Sequence, residues 1–363
     1  MVRVFINGRF FTQRQTGVQR MAQETVRAID GLLGTDAGRG LEVTMLAPNG
    51  ATVPAFDHIA VRKGGLFKGG YGWEQLDLPR LALGGVLLNL CNLGPIAKHR
   101  QVVVVHDATP RVMPEAFSPA FRLTYRVLVP LLGVIAARLV TISEFSRREI
   151  TQWYGIRGER LAICAEGGEH ILRQPADRGV LQKNGLEGRP FFLAVGVGSR
   201  NKNTELVTAA FERAGLADVH LVMTGARERR VHQGAEDRTF ASEVIHYVGH
   251  VSDAELRALY EHALALIYPS RYEGFGLPPL EAMTCGCPVV ISDQPALLEI
   301  TGDSDAVLVT GMDDVDGLAQ KMARLAQDAD LRRRLSERGR AHAARFTWGS
   351  TAAVLLKLCR EAA

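Results

Sequence analysis

Cysteine is scarce and poorly placed for a metal site or a disulfide framework. The five cysteines, Cys91, Cys164, Cys285, Cys287 and Cys359, are odd in number and form no C-x-x-C pair. Cys285-Gly-Cys287 is too tight for an ordinary zinc knuckle, and no His pair at ligand spacing accompanies it. They read as reduced, mostly buried thiols of a cytosol. Long apolar runs are also missing. The longest, Val127–Ala137, is interrupted by Pro130 and Gly133 and bounded by Arg126 and Arg138, well short of the ~20 residues of a membrane span. The opening MVRVFINGRFF has a short apolar run and no small-residue cleavage site, so no signal peptide is expected. Internal repeats and dense Lys/Arg runs are lacking, which argues against a dedicated nucleic-acid binder.

What is present describes a soluble globular chain. It has 363 residues, 47% hydrophobic and 23% charged, with 37 Gly and 15 Pro. That length allows two cores, because single cores seldom grow past about 250–300 residues. The net charge of +4 is uneven: residues 1–175 carry 21 Lys+Arg against 14 Asp+Glu, and the remainder carries 22 against 25. A basic first half suits phosphates or an anionic membrane surface.

Short, nearly continuous apolar runs alternate with helical patterns from end to end. In the first half they are Val2–Ile6, Leu41–Leu46, Val86–Leu90, Gln101–Val105 and Arg138–Ile142. In the second they are Phe191–Val197, Val219–Thr224, Val244–Val248, Leu264–Tyr268, Pro288–Ile291 and Ala306–Val309. Runs without polar alternation are what parallel strands covered on both faces require. The pattern predicts two doubly wound α/β domains, 1–175 and 176–346, with a last helix, 347–363, packing back on the first. Thr16–Gln19 and Ser252–Glu255 read as capping boxes. Arg173–Pro190, polar and rich in Gly and Pro, reads as a linker, and the Gly-rich stretches 31–40 and 64–72 read as loops, the second offering Tyr71 and Trp73 for binding. Ligands of such sheets bind beyond the carboxyl ends of the strands, so a nucleotide-bearing substrate between two such ends is the first functional expectation.

The most informative stretch is Tyr268-Pro-Ser-Arg-Tyr-Glu273-Gly-Phe-Gly276-Leu-Pro-Pro-Leu-Glu281-Ala-Met-Thr-Cys-Gly-Cys-Pro-Val-Val. A buried strand runs into a glycine-containing loop and then a helix opened by Pro278 and Pro279. Free N–H groups at such a helix start make an anion site, and Gly274 and Gly276 let the backbone approach a ligand. Glu273 and Glu281 read either as carboxylates at the two ends of a ligand or as a solvated loop acid and a helix-start acid favoured by the dipole. A second stretch, Gly196-Val-Gly198-Ser-Arg200-Asn-Lys202-Asn203, places two cations at a strand–helix turn, suited to a diphosphate. Because Asn201 stands where the third glycine of G-x-G-x-x-G would be, a nicotinamide site is disfavoured.

The 268–290 stretch resembles the signature of retaining GT-B glycosyltransferases of family 4, the glycosyl transferases group 1 domain, in its E-x7-E spacing, in EGFGLPPLEAM and in the following G-C-P-V-V-I-S. The resemblance implies a GT-B fold. It implies that Glu273 contacts donor-sugar hydroxyls, that N–H groups near Phe275, Gly276 and Leu277 approach the sugar and diphosphate, and that Glu281 binds the nucleotide ribose. Lys202 and Arg200 match a phosphate loop that neutralises the leaving diphosphate. Gly17, at the helix start after the first strand, resembles the first-domain glycine loop, with Arg20 beside it. His106, ending strand Gln101–Val105, matches a donor-sugar contact, with Asp107 adjoining it. Val248, in Tyr247-Val-Gly-His250, resembles the strand end that holds the nucleobase. Ser143–Ser146 and Gly167–His170 resemble a cleft-side turn and the domain crossover. The openings FINGRF…TGVQR and VHDATP look most like bacterial members that build surface polysaccharides.

The implied activity is transfer of a hexose, with GDP-mannose or a related deoxyhexose donor favoured. The donor is a nucleotide diphosphate sugar, the acceptor a saccharide or lipid-linked saccharide, and the anomeric configuration is retained. No cofactor or metal is expected. The D-x-D pairs Asp303/Asp305, Asp314/Asp316 and Asp328/Asp330 fall in late loops and helix starts, whereas a metal-holding D-x-D belongs to another architecture. The stretch Phe117–Arg138, with Arg122 and Arg126, reads as a core-facing helix or as a surface helix touching an anionic membrane, which would place the protein in the cytoplasm at the inner face of the membrane. A sugar-nucleotide epimerase of the same fold, a dinucleotide oxidoreductase and a non-catalytic nucleotide-sugar-binding protein are the rival readings.

Overall fold

The computed structural model describes residues 1–225, 243–302 and 305–363. They divide into two compact units, Met1–Gly167 with Thr347–Ala363, and Gly168–Phe346. Each unit holds one all-parallel sheet. The first contains β1 (Val2–Asn7), β2 (Leu41–Ala47), β3 (Ala60–Lys63), β4 (Val86–Asn89), β5 (Gln101–Val104), β6 (Arg138–Thr141) and β7 (Leu161–Ile163), in the order β3-β2-β1-β4-β5-β6-β7. The second contains β8 (Phe191–Val195), β9 (His220–Thr224), β10 (Ile245–Gly249), β11 (Ala265–Tyr268), β12 (Val289–Ser292) and β13 (Leu308–Thr310), in the order β10-β9-β8-β11-β12-β13.

The apolar runs explain the interior. Val102, Val103 and Val104 of β5 and Val289, Val290 and Ile291 of β12 are fully buried, as strands with helices on both faces must be. Register is fixed on both sides of the central strands: Val4 lies opposite Val43 and Val86, and Leu193 opposite Val222 and Leu266. In the second unit Phe192, Leu221, Ile267, Leu318 and Met322 share one core, with helix Val315–Gln327 against helix Thr204–Ala214. In the first, helix Trp348–Glu361 packs on helix Gly17–Leu33 and buries Leu355, Leu356 and Cys359, while the Thr351 hydroxyl donates to the Ala165 carbonyl at 2.6 Å. The order of each sheet reverses once, between β1 and β4 and between β8 and β11, and such reversals are where open α/β sheets bind ligands.

Three sequence expectations are corrected. The chain leaves the first unit at Gly167/Gly168 rather than after residue 175. Arg173–Pro190 is not a linker but part of the second unit, because Val180, Leu181 and Leu186 bury and carry helix Gly179–Lys183 with them. Residues 31–33 continue the first helix instead of opening a loop. Among the described residues no helix is long and apolar enough to cross a membrane.

Candidate active site

The two loops at the β8/β11 reversal are laced together before any ligand is considered. Asn203 stands in the left-handed region, φ 55°, at the start of helix Thr204–Ala214. Its Nδ2 donates to the Pro269 and Met312 carbonyls at 3.2 and 2.8 Å. Asn201 donates to the Tyr272 carbonyl at 3.0 Å, while its own carbonyl accepts from the Arg271 amide at 2.7 Å. The loop after β8 is thereby held against the loop after β11, and Lys202 meets Glu273.

Lys202 Nζ lies 2.5 Å from Glu273 Oε1 and also donates to the Tyr268 hydroxyl. The Tyr268 hydroxyl donates in turn to Glu273 Oε1 at 2.9 Å, and the ammonium sits 4.6 Å from the centre of the tyrosine ring. Ser270 Oγ and Asn201 Nδ2 reach the same oxygen at 2.6 and 3.3 Å. Burial, then the neighbouring Glu273 carboxylate, pushes the Tyr268 phenol well above its ordinary value, so it stays a protonated donor. Gly196, φ 78°, lies beneath Lys202, where a Cβ would stand 3.3 Å from the lysine Cε. Arg200 is exposed and makes no hydrogen bond or ion pair among the described residues, so the structure does not bring it to Glu273.

The next turn sets the anion donors. Gly276 caps helix Leu277–Cys285 at φ 125°, and a Cβ there would meet Leu297 Cδ2 at 2.8 Å, so glycine is required. A helix start leaves about four N–H groups without helical partners. Here two belong to Pro278 and Pro279, which have none, and the Leu280 amide already bonds the Gly276 carbonyl at 3.3 Å. The Gly276 and Leu277 amides are what remains for an anion. The Phe275 ring is buried, edge-on to Phe346 at 6.3 Å, so only its backbone can serve a ligand. Glu281 is buried on the helix, with Oε1 2.9 Å from His170 Nε2 and Oε2 accepting from the Tyr260 hydroxyl at 3.0 Å. Val248 lies on the edge strand β10 at a register irregularity: Tyr247 pairs with Met223 and Gly249 with Thr224, which leaves Val248 out of the ladder.

In the first unit, His106 follows β5 and is buried. Its Nε2 lies 2.8 Å from the Leu90 carbonyl, to which it donates, and its Nδ1 lies 3.6 Å from Glu166. Burial alone works against the charged ring, but the Glu166 carboxylate and the Leu90 carbonyl outweigh it, and the imidazole is raised above its ordinary value. Gly17 is exposed at the first position of its helix, with open space where a Cβ would go. At the β1/β4 reversal, Asn7 Nδ2 donates to Glu74 at 2.9 Å and to Asn89 at 3.0 Å, Asn89 donates to Gln101 at 2.9 Å, and Arg9 pairs with Glu74 at 3.1 Å. Tyr71 covers the Arg9 guanidinium at 5.0 Å. Trp73, expected in a binding loop, is instead fully buried, its Nε1 donating to the Gly64 carbonyl at 2.8 Å.

Several motif residues prove to be helix caps. Ser143 accepts from the Ser146 amide at 3.0 Å, and Asp314 and Asp328 accept from Gly317 and Leu331 at 2.8 and 2.7 Å. Asp316, Asp330 and Asp305 pair with Arg213, Arg333 and Arg338, while Asp303 lies outside the described residues. Sequence reasoning missed Tyr268 and Ser270 as members of the Glu273 cluster and Asn201 and Asn203 as the lacing. The one available signal was a pair of asparagines flanking a motif lysine.

The profile of the family described as Glycosyl transferases group 1 matches residues 179–342. The chain is 34% identical over 263 residues to O-antigen chain mannosyltransferase B of Escherichia coli, covering 70% of this chain and 68% of that protein. It is 28% identical over 268 residues to the serotype-specific mannosyltransferase WbdA of Escherichia coli, spanning 70% of this chain but 32% of that longer protein. Among solved structures, sucrose-phosphate synthase (tll1590) from Thermosynechococcus elongatus superposes with a TM-score of 0.74 over 99% of both chains at 18% identity, a likeness of fold.

Proposed function

This chain belongs to the glycosyl transferases group 1 family and is a GT-B glycosyltransferase, and we propose that it transfers mannose or a related deoxyhexose from a GDP-linked donor, with retention, to a saccharide or lipid-linked saccharide in surface-polysaccharide synthesis. The observation that carries the reading is the meeting of Glu273 and Lys202 on the two loops of the β8/β11 reversal. The mannosyltransferase names of the two relatives support the sugar.

In this reading Glu273 holds donor-sugar hydroxyls, Glu281 the ribose and the backbone at the Val248 irregularity the base edge. As the bond from the anomeric carbon to the diphosphate oxygen breaks, its electron pair stays on the diphosphate. Lys202, the Gly276 and Leu277 amides and the exposed Arg200 take up that charge, aimed where it develops. The acceptor hydroxyl attacks the same face and gives its proton to the departing phosphate oxygen, so no protein base is assigned. His106 is the first unit's candidate for a sugar contact. With these cations and amides in place the reaction needs no metal.

Helix Pro119–Ile135 fits a lipid-linked acceptor. Leu123 and Val134 are 63% and 77% exposed, Val127 and Leu131 complete the stripe, Arg122 and Arg126 flank it and the helix has no acidic residue. Such a face suits the inner surface of an anionic membrane, and the protein should sediment with anionic vesicles but not neutral ones.

The test is thermal stability in GDP, UDP, dTDP, ADP and NAD, with and without a chelator. One diphosphate should raise the midpoint in both conditions, because a ligand bound only by the folded state stabilises it. Proton NMR of the product of the matching sugar nucleotide then reads the anomeric configuration. Stabilisation by NAD alone, or by no diphosphate without added metal, overturns the assignment.

A further inference from the structure

The Glu273 carboxylate is held entirely by one of its oxygens. Lys202, Tyr268, Ser270 and Asn201 all reach Oε1, and no described residue bonds Oε2. The side chain is 14% exposed, so that second oxygen is not sealed away. An ionised carboxylate accepts through both oxygens. A protein that loads four groups onto one of them leaves the other for something outside itself.

The donors are not equivalent. Ser270 has a single hydroxyl proton, and its oxygen also lies 2.7 Å from the Asn201 carbonyl, which can only accept. The Tyr272 carbonyl lies 3.4 Å from it as well, so that proton serves one of three acceptors at a time. Asn201 is the most distant of the four, at 3.3 Å. Lys202 has three N–H groups, of which one goes to Glu273 and one to Tyr268, leaving the third for a phosphate oxygen. Tyr268 is the one group in the cluster that accepts from the lysine and donates to the glutamate together. Its ring is buried on β11, so its hydroxyl cannot follow either partner if they move.

We infer that Tyr268 is the residue that positions the donor-sugar carboxylate: its hydroxyl, fixed on β11, ties Glu273 down through Oε1 and keeps Lys202 to one side, so that Oε2 is the oxygen offered to the sugar. This rests on the reading that Glu273 holds donor hydroxyls. Without the Tyr268 hydroxyl, Lys202 is free to straddle both oxygens of Glu273, a pairing that removes Oε2 from the sugar. The consequence is specific. Recognition of the sugar should weaken while recognition of the bare nucleotide stays.

The experiment measures calorimetric affinities of the full chain for GDP and GDP-mannose, or for UDP and UDP-glucose if uridine is the base preferred, in wild type, Tyr268→Phe, Ser270→Ala and Glu273→Gln. Tyr268→Phe should lower the preference for the sugar nucleotide over the nucleotide roughly tenfold, the scale of one hydrogen bond to a charged group, and leave the nucleotide affinity unchanged. Ser270→Ala should act in the same direction and more weakly, and it carries the test if Tyr268→Phe fails to fold. An undiminished preference in folded Tyr268→Phe, or an equal loss for nucleotide and sugar nucleotide, overturns the inference. Full preference in Glu273→Gln instead overturns the underlying reading of Glu273.

Discussion

The two sheets reverse their order in the same way, yet the two reversals are finished differently. At β1/β4 the polar side chains satisfy one another: Asn7, Asn89 and Gln101 run as a buried chain into Glu74, which Arg9 neutralises and Tyr71 covers. Glu74 does keep one oxygen without a partner, but that oxygen is closed off from solvent. Burial raises the Glu74 carboxyl above its ordinary value against the pull of Arg9 and Asn7, towards the neutral form. At β8/β11 Glu273 likewise has one oxygen bonded and one unbonded, but the unbonded one belongs to a partly exposed side chain beside a lysine with a spare N–H. The topology supplies a place, and whether the place is a site depends on whether its last unused valence can be reached.

Two substitutions press on that contrast. Glu74→Ala strands the buried Arg9 guanidinium and should cost about 3–5 kcal/mol in denaturant titrations, with nucleotide affinity unchanged in whatever fraction is folded. A loss of nucleotide binding at undiminished stability would make the first reversal a ligand site and erase the difference. Gly276→Ala forces a side chain into the left-handed region and against Leu297. It should cost about 1–3 kcal/mol and weaken diphosphate binding in the same calorimetric assay, because the Gly276 and Leu277 amides turn with it. Intact diphosphate affinity would remove those amides from the site.

The smallest effect concerns His106. Burial lowers its pKa and Glu166 raises it, with a net rise. A folded value above the unfolded one means a stabilising contribution fully present below the ordinary imidazole range of about 6.5, and lost as pH rises through the folded value. In Glu166→Gln only burial and weaker partners remain, so that decline should vanish from a plot of Tm against pH. An unchanged profile would show that Glu166 does not govern the ring.

Much of this was legible in the sequence, and what was not has identifiable causes. The central strands announce themselves because burial on both faces demands unbroken apolar runs. Strands β3 and β7 do not, since every residue of β3 is exposed and β7 is only Leu161–Ile163. Glu273 and Lys202 stand in contiguous loops with recognisable spacing. Tyr268 reads as one more apolar strand residue, and only the fold places its hydroxyl between two charges. Arg173–Pro190 misleads in the opposite sense, because its Gly and Pro outnumber the few apolar residues that decide its packing.

The return of helix Trp348–Glu361 to the first unit has a consequence for how the protein comes into being. During synthesis the strands of the first sheet emerge long before this helix, with the whole second unit made in between. Until then the apolar surface that Leu355, Leu356 and Cys359 will cover lies bare. The second unit, contiguous in sequence, can mature as it leaves the ribosome, whereas the first is closed by a late-arriving segment. A nascent chain interrupted before Thr347 therefore presents a finished second sheet joined to a first sheet still lacking part of its cover, and that uncovered surface is what a chaperone or protease would find first.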